Sequence, residues 1–284
     1  MPQNVYRSLS VRDGAKIDRD TLPPPRHIGA VNWRGTWELY LKEVRRFLKV
    51  YMQTIMAPIV TTLIFLAIFV LALGRDVAQH VPGISFMEFL APGLIMMAMV
   101  QNAFANTSSS VIISKVQGNI VDVLMPPLSG GEILAAYALG GISRGLVVGV
   151  AVLVAMAFFV TIHVHNVGFI LFHAIGASMM LSLLGIIAGI WADKFDHMAA
   201  VTNFIVTPLS FLSGTFYSID RLPENMQIVA HINPFFYMID GFRYGFIGHD
   251  DALPMVGLVV VGLTNALLLA VGYGMLRSGY KLKA

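Results

Sequence analysis

Long apolar segments separated by shorter polar ones dominate the chain from residue 50 onward. Six of them are long enough to cross a bilayer, at residues 50–73, 89–113, 133–160, 167–191, 198–217 and 254–276. A helix rises about 1.5 Å per residue, so each segment covers or exceeds a hydrocarbon layer of roughly 30 Å. The pattern therefore predicts an all-α integral membrane protein with six transmembrane helices.

A different pattern precedes the first span. Apolar residues recur every three or four positions, and charged residues occupy the other face. The apolar set is Trp33, Trp37, Leu41, Val44, Leu48 and Tyr51, and the charged set is Arg34, Glu38, Lys42, Arg45 and Lys49. This spacing predicts an N-terminal amphipathic helix at the membrane interface, with its tryptophans at headgroup depth and its cations against anionic lipid.

Residues 1–30 show no apolar periodicity and contain the run Leu22-Pro23-Pro24-Pro25-Arg26, which is typical of unstructured chain. We interpret them as a flexible cytoplasmic leader and residues 31–284 as one six-span domain. The first 49 residues are too polar, and their cations are too dispersed, for a cleaved signal peptide. We therefore expect the first span to direct insertion.

The segment at 218–253, before the last span, is too interrupted to be a further ordinary span. A short apolar face comes first, an Asn-Pro pair interrupts it, and residues 235–246 form a second short apolar piece. The first face consists of Leu222, Met226, Val229 and Ala230. Irregular backbone at membrane depth must be covered by protein or line a polar cavity. The sequence therefore predicts a re-entrant helical hairpin before the last span.

Composition supports a membrane protein, since 56% of the 284 residues are hydrophobic, 12% are charged and the mean hydropathy is +0.72. The absence of cysteine excludes disulfides, thiolate zinc sites and cysteine nucleophiles. No Gly-x-x-x-x-Gly-Lys-Ser/Thr sequence occurs, so the chain lacks the loop with which ATPases hold phosphates. We expect no enzymatic activity and no bound cofactor in this chain.

Basic residues are distributed unevenly about the spans. With the N-terminus inside, all but three of the 19 lysines and arginines lie on the cytoplasmic side, and the exceptions are Arg75, Arg221 and Arg243. Because cytoplasmic loops are enriched in basic residues, this predicts a multi-pass protein of the cytoplasmic (inner) membrane with both termini in the cytoplasm. The net charge of +3 favours anionic membrane lipids over nucleic acid as partner, because the cations concentrate beside a span.

Three motifs occur in a characteristic order. The first, in the amphipathic segment, consists of Trp37, Glu38, Lys42, Glu43, Arg45 and Arg46. The second, in the inner loop, consists of Gln117-Gly118 through Asp122, Pro126-Pro127-Leu128-Ser129 and Glu132. The third, before the last span, consists of Gly214, Leu222-Pro223, Asn233-Pro234, Asp240 and Arg243. Together they resemble the type-2 ABC exporter permeases, the membrane subunits of ATP-binding cassette export systems. The resemblance covers residues 33–284. The third motif corresponds to the outer hairpin of that family.

The resemblance implies two permease copies, expected as a homodimer, paired with a dimer of ABC ATPase subunits that hold ATP and Mg. It implies outward movement of an amphipathic drug, lipid or lipid-linked glycan. The implied ATPase-coupling residues are Val116, Gln117, Gly118, Ile120, Asp122, Val123 and Leu124 in the inner loop, and the implied ATPase contacts of the amphipathic helix are Glu38, Lys42, Glu43 and Arg45.

The inner loop on its own predicts a short helix with one apolar stripe. Its members are Val116, Ile120, Val123 and Leu124. Such a stripe fits a partner's groove, and the alternative is a solvated loop with one buried side. Ser129 and Glu132 are spaced to cap the third span.

Polar groups within the spans are candidates for the transport pathway. Arg144 is the only formally charged side chain in the predicted spans, where ionised groups are costly and often functional. Its alternative role is to extend toward the interface or to pair with Glu132 or Asp122. Asn102 and Asn106 either line the pathway or join helices by hydrogen bonds.

Two other classes of function were weighed. An ion-coupled secondary transporter is the alternative, and it would be expected to carry Asp, Glu or His within its spans. Only His173 and Arg144 come near that description, and the predicted spans contain no paired carboxylates for an intramembrane enzyme. His163 and His165 have no carboxylate beside them in the sequence, so we predict no metal site.

Overall fold

The computed structural model describes residues 29–77, 84–219 and 222–282. Within these ranges the chain forms eleven α-helices and no strand, which confirms the all-α prediction. Residues 1–28 of the predicted leader lie outside the described residues, as do Arg221 and Lys283 and the side chain of Arg75.

The helices follow one another with short connections. They are α1 (Trp33–Lys49), α2 (Ala57–Val77) preceded by a π-helical turn (Met52–Met56), α3 (Phe86–Val116), α4 (Ile120–Leu124), α5 (Gly130–Met156), α6 (Val167–Trp191), α7 (Phe195–Val201), a second π-helical turn (Thr202–Val206), α8 (Thr207–Phe211), α9 (Glu224–Ile232), α10 (Pro234–Ile247) and α11 (Pro254–Ser278).

Five helical segments of the described chain have the length and composition needed to cross a membrane. They are Met52–Ala72, Phe86–Val116, Gly130–Met156, Val167–Trp191 and Pro254–Ser278. These match five of the six predicted spans. The predicted fifth span, residues 198–217, instead contains a shorter helical run from α7 to α8 that a π-helical turn interrupts.

Local sequence signals set the helix ends. Ser129 and Glu132 form the predicted capping box at the start of α5, because each side chain bonds the backbone N–H of the other residue. Gly118 has a φ of 74° directly after α3, so the chain turns there into α4. Asn233 caps α10 by accepting the backbone N–H of Phe235. The predicted break between α9 and α10 is thus confirmed.

Helix α3 is the centre of the bundle and packs against α2, α5, α6 and α10. Its approach to the loop after α8 is close, since a Cβ added at Gly93 would lie 2.8 Å from the backbone oxygen of Thr215. Small residues allow such backbone approach, which stabilises helix packing where the hydrophobic effect contributes little.

The helix ends fall into two groups. At one end, which we call the basic end, Lys115 in the last turn of α3 and Lys281 after α11 both donate to backbone oxygens at the end of α6. The start of α5 also lies there, with Gly130 beside Arg277. At the opposite end, Glu88 at the start of α3 lies 3.4 Å from His163, which precedes α6.

Helix α1 has three faces. The predicted apolar stripe containing Trp33 and Trp37 is exposed except at Leu41 and Val44, which are half-buried, and the charged stripe is exposed. A third face, Leu39, Glu43 and Phe47, is buried and packs chiefly against α5. An exposed apolar stripe beside a charged one is the arrangement expected of a helix at a lipid interface.

Candidate functional site

The coupling residues implied by the sequence lie together at the basic end, but their apolar members point in two directions. Ile120 and Val123 are 9% and 6% exposed and join a buried cluster with Leu39 and Ile133. The prediction of one outward stripe containing both residues is therefore wrong. In a single-turn helix, side chains three apart share a face, and here that face packs on the chain's own core.

The outward face of α4 consists of other residues. Val121 and Met125 are 51% and 77% exposed, and Val116 and Leu124 are also exposed. Gln117, Gly118 and Asp122 lie on the same surface of the loop. Apolar side chains that protrude at the end of a helical bundle suit packing against another protein. We call Val116, Val121, Leu124 and Met125 the α4 outer face.

A groove of about 670 Å³ runs beside this face, between α1, the end of α3 and α4. Glu38 and Lys42 of α1 line it together with Gln117 and Asp122 of the loop. The structure thus brings two sequence motifs, widely separated along the chain, into one surface. Arg45 is exposed on α1.

Glu43 does not belong to that surface. Its side chain is fully buried, and a Cβ added at Gly140 of α5 would lie 2.6 Å from its Cβ. One carboxylate oxygen accepts the Ser110 hydroxyl at 2.7 Å, and the other accepts Arg46 at 3.0 Å. The expectation that Glu43 contacts the ATPase is therefore corrected, because glycine at position 140 lets α5 cover it.

Arg46 extends this buried connection along α3. Its Nη2 donates to the backbone oxygen of Asn106 at 2.5 Å and to the side-chain oxygen at 3.0 Å, and its Nη1 donates to Ser109 at 3.1 Å. A buried carboxylate is stable only when paired and hydrogen-bonded. The Glu43–Arg46 pair therefore joins α1 to the middle of α3, and Asn106 serves in this junction.

Asn102 lies one helical turn before Asn106 and holds a second arginine. Arg144 of α5 donates from Nη2 to the Oδ1 of Asn102 at 2.9 Å. The Nε of Arg144 is buried and has no hydrogen-bond partner among the described residues. The structure pairs Arg144 with neither Glu132 nor Asp122, since Glu132 bonds the start of α5 and Asp122 is exposed.

Two grooves meet at Asn102. One, of about 250 Å³, lies between α2 and α3, and the other, of about 470 Å³, lies between α3 and the α7–α8 segment. Gln101 and Asn102 line both. The remaining walls combine apolar side chains with hydroxyls, and no charged side chain of the described residues lines either groove.

A second buried arginine lies at the opposite end of the bundle. Arg243 of α10 is 1% exposed and donates to the backbone oxygen of Gly214 at 2.6 Å. Its guanidinium carbon lies 4.0 Å above the ring of Phe89, and its Nη1 lies 3.7 Å from a carboxylate oxygen of Asp251. Cation–π contact and charge pairing together compensate the lost hydration of the guanidinium.

Two carboxylates complete the cluster around Arg243. Asp251 accepts the Ser218 hydroxyl at 2.7 Å and the backbone N–H of Ile219 at 3.2 Å. Asp240 accepts the backbone N–H groups of Asp251 and Ala252. The cluster therefore joins α10 to the loops that precede α9 and α11. Among the motif residues, Leu222 and Pro223 lie outside it, before α9, while Asn233 bonds the backbone of Leu209.

An ion-pair cluster at the basic end joins the last turn of α3 to the residues that follow α6 and α11. Lys281 contacts a carboxylate oxygen of Asp193 at 2.7 Å, and Lys115 lies 3.7 Å from the other oxygen. The hydrogen bond from Lys281 lowers the pKa of Asp193, and the same bond raises the pKa of Lys281. Both lysines also bond the last carbonyls of α6, so this cluster stabilises the end of that helix.

The histidines at 163, 165 and 173 occupy different environments. His163 pairs with Glu88, His165 lies against Tyr244, and His173 is buried beside Phe169. Within the described ranges no group of three or more His, Asp or Glu residues is arranged to hold a metal ion.

Sequence reasoning missed several partners in these clusters. Ser110 and Asp251 were not singled out, although each satisfies a buried charge. The half-buried Arg46 and the buried Arg243 require acceptors, and that requirement is the signal that would have directed attention to nearby carboxylates and hydroxyls. The partner itself depends on tertiary contacts, which periodicity does not show.

The arrangement is that of a bundle of long apolar helices with an exposed apolar surface at the basic end and polar groups at its centre. Residues 34–247 match the family described as "ABC-2 type transporter". The chain belongs to this family, so it is the transport permease of an ABC system, a transporter component and not an enzyme. Membership also implies a partner ABC ATPase subunit.

Individual relatives agree with this assignment. The chain is 39% identical over 232 residues to the "Inner membrane transport permease YadH" of Escherichia coli K12, an alignment that covers 81% of this chain and 90% of the relative. It is 24% identical over 237 residues to "Nodulation protein J" of Rhizobium leguminosarum bv. viciae, with 82% and 87% covered.

Proposed function

We propose that this chain is the membrane subunit of an ATP-driven exporter in the cytoplasmic membrane. Two copies work with a pair of separate ABC ATPase subunits, which bind ATP and Mg. The cargo is an amphipathic drug, lipid or lipid-linked glycan. The α4 outer face carries this proposal, because a transporter subunit without a phosphate-binding loop needs a surface through which ATPase movement reaches its helices.

The coupling route follows from the contacts of α4. Its inner side packs in the cluster with Leu39 of α1 and Ile133 of α5, while α4 itself follows directly from α3. Glu43 and Arg46 connect α1 back to α3. A displacement of the α4 outer face by the ATPase therefore reaches three helices at once, because packed side chains transmit displacement with little compression.

We propose six membrane crossings with both termini in the cytoplasm. The α7–α8 segment is the fifth crossing, since its 195–211 helical run extends about 25 Å and the following residues complete the layer. Lys115, Arg277 and Lys281 at the basic end then face the cytoplasm, as the excess of basic residues requires. Helices α9 and α10 form the re-entrant hairpin at the opposite, outer end.

The candidate pathway lies along the half-buried face of α3, where the two grooves meet. Gln101 and Asn102 belong to both grooves, and Arg144 bonds Asn102 from behind. Polar amides between apolar walls suit a cargo with both polar and apolar parts. Asn106 is committed to Arg46 and contributes to the helix junction.

The ATPase partner is tested by purification. Affinity-tagged chain from its native membranes should copurify with an ABC ATPase, and the complex should hydrolyse ATP. The chain stripped of that subunit should hydrolyse none, because it has no phosphate-binding loop. ATP hydrolysis that stays with the stripped chain through successive purification steps contradicts the proposed division of labour.

The orientation is tested by labelling introduced thiols, for which the cysteine-free chain offers a clean background. In intact cells, Glu224→Cys on α9 should react with an impermeant maleimide, whereas Lys194→Cys should react only after permeabilisation. Both positions are exposed in the structure. The reverse pattern would overturn the proposed orientation, and equal labelling of both sites in intact cells would exclude it as well.

A further inference from the structure

Arg144 carries a charge that the described chain does not neutralise. Glu43 neutralises Arg46, which leaves the group Glu43, Arg46 and Arg144 with one excess positive charge. Arg144 forms no ion pair with any described residue, and its one hydrogen bond goes to the neutral amide of Asn102. An unpaired guanidinium in the middle of a transmembrane helix is costly, so a counter-charge is required.

Most N–H donors of Arg144 also have no acceptor among the described residues. A guanidinium carries five N–H donors in a planar fork that matches carboxylate and phosphate oxygens. Only the bond to Asn102 is present among the described residues, and the buried Nε has no acceptor. Asn102 fixes the position of the group without supplying charge. The site is therefore anchored and still able to receive an anion.

The side chains around Arg144 indicate what kind of molecule would carry that anion. Asn102 belongs to the walls of both grooves beside α3, and those walls also contain Phe65, Leu94, Phe104 and Met198. The grooves contain amides and hydroxyls but no charged side chain of the described chain. Arg144, directly behind the shared wall, is thus the source of positive charge next to a neutral surface that combines apolar and polar groups.

We propose that Arg144, positioned by Asn102, binds the anionic group of an amphiphile whose apolar part lies in the grooves flanking α3. The group is a carboxylate, phosphate or sulfate. This inference rests on the proposed export function and narrows its cargo to anionic amphiphiles. The bound anion neutralises the excess positive charge and accepts hydrogen bonds from the free N–H groups of Arg144. When the amphiphile is released toward the outer end, Arg144 is again without a counter-charge.

The test is binding by the purified chain in phosphatidylcholine nanodiscs, read as the shift in Tm with laurate, dodecanol or dodecyltrimethylammonium. Laurate should raise the Tm of the unaltered protein more than the other two compounds do. Arg144→Gln should lose this increment or require about tenfold more laurate, the cost expected for a lost charged hydrogen bond. Arg144→Lys should keep much of the laurate increment, because it keeps the positive charge. Arg277→Gln, which removes an exposed cation at the basic end, should keep all of the increment.

Equal shifts with the three compounds, or a full laurate increment in Arg144→Gln, would overturn the proposal. If Arg144→Gln does not fold, the comparison of compounds on the unaltered protein and on Arg144→Lys still decides. Nanodiscs that also contain phosphatidylglycerol separate two sources of anion. If phosphatidylglycerol itself raises the Tm in an Arg144-dependent way and laurate then raises it no further, the anion at Arg144 is a lipid headgroup. If laurate still raises the Tm in the presence of phosphatidylglycerol, the anion belongs to a free amphiphile.

These outcomes are independent of the exporter assignment. Copurification of the ATPase with the same variants reports on the proposed function, whereas amphiphile binding reports on the Arg144 site. Failure of binding with an intact ATPase complex would remove the anion site alone.

Discussion

Replacement of Val121 and Met125 by aspartate should abolish copurification of the ATPase while the chain still inserts into the membrane. Both side chains are more than half exposed on the α4 outer face, so the folded chain tolerates charge there. In a docked complex the same charges would be buried in an apolar contact without partners, which is strongly unfavourable. Membrane content by immunoblot, together with recovery of the ATPase, measures the effect.

Two comparisons make this experiment specific. Tyr280→Asp adds a charge at another exposed site of the basic end and should leave ATPase recovery unchanged. Ile120→Asp with Val123→Asp should instead lower the amount of folded chain, because those residues pack within the chain's own core. Normal ATPase recovery with the Val121 and Met125 double variant would show that the α4 outer face is not the coupling surface.

Replacement of Arg243 by methionine should prevent stable folding of the outer end. The exchange keeps an unbranched apolar stem but leaves the Asp251 carboxylate buried without its cation and the Gly214 carbonyl without its donor. Removal of one member of a buried charge pair costs about 3–5 kcal/mol. The fraction of monodisperse protein that survives a heating series in detergent measures the loss.

A double variant separates the charge effect from loss of packing. Adding Asp251→Asn to Arg243→Met should recover part of the lost stability, because no unpaired Asp251 charge then remains. The matched control is Arg277→Met, an exposed arginine at the other end of the bundle, which should be close to neutral. Equal stability of Arg243→Met and the unaltered chain would show that the cluster does not hold the outer end together.

Much of the fold was predictable because span length, capping and helix breaks are local properties. The Ser129 and Glu132 capping box and the break at Asn233 follow from residue type and spacing, and both were confirmed. The direction of each face of α4 was not predictable. Ile120 and Val121 are equally apolar in the sequence, but Ile120 packs in the buried cluster that contains Leu39 and Ile133, whereas Val121 is exposed.

The candidate site divides in the same way. The motif containing Glu38 and Glu43 was recognisable from the sequence, yet one carboxylate lines a groove and the other is fully buried. Helical spacing assigned Glu38 to the charged face but assigned Glu43 to neither face. The burial of Glu43 depends on a glycine nearly a hundred residues away in α5. Such pairings arise from tertiary packing, which a single sequence does not encode in any local pattern.

The two π-helical turns determine where the chain can lose a residue without altering the helix that follows. In each, a backbone N–H bonds the oxygen five residues earlier, from Ala57 to Met52 and from Thr207 to Thr202. Such a turn contains one residue more than the α-helix would need, so loss of that residue restores α-helical geometry. A deletion elsewhere in a span would rotate every later side chain by about 100°. Between residues 29 and 282, as far as the structure describes them, there are thus two positions where a single-codon deletion leaves the facing of the following helix intact.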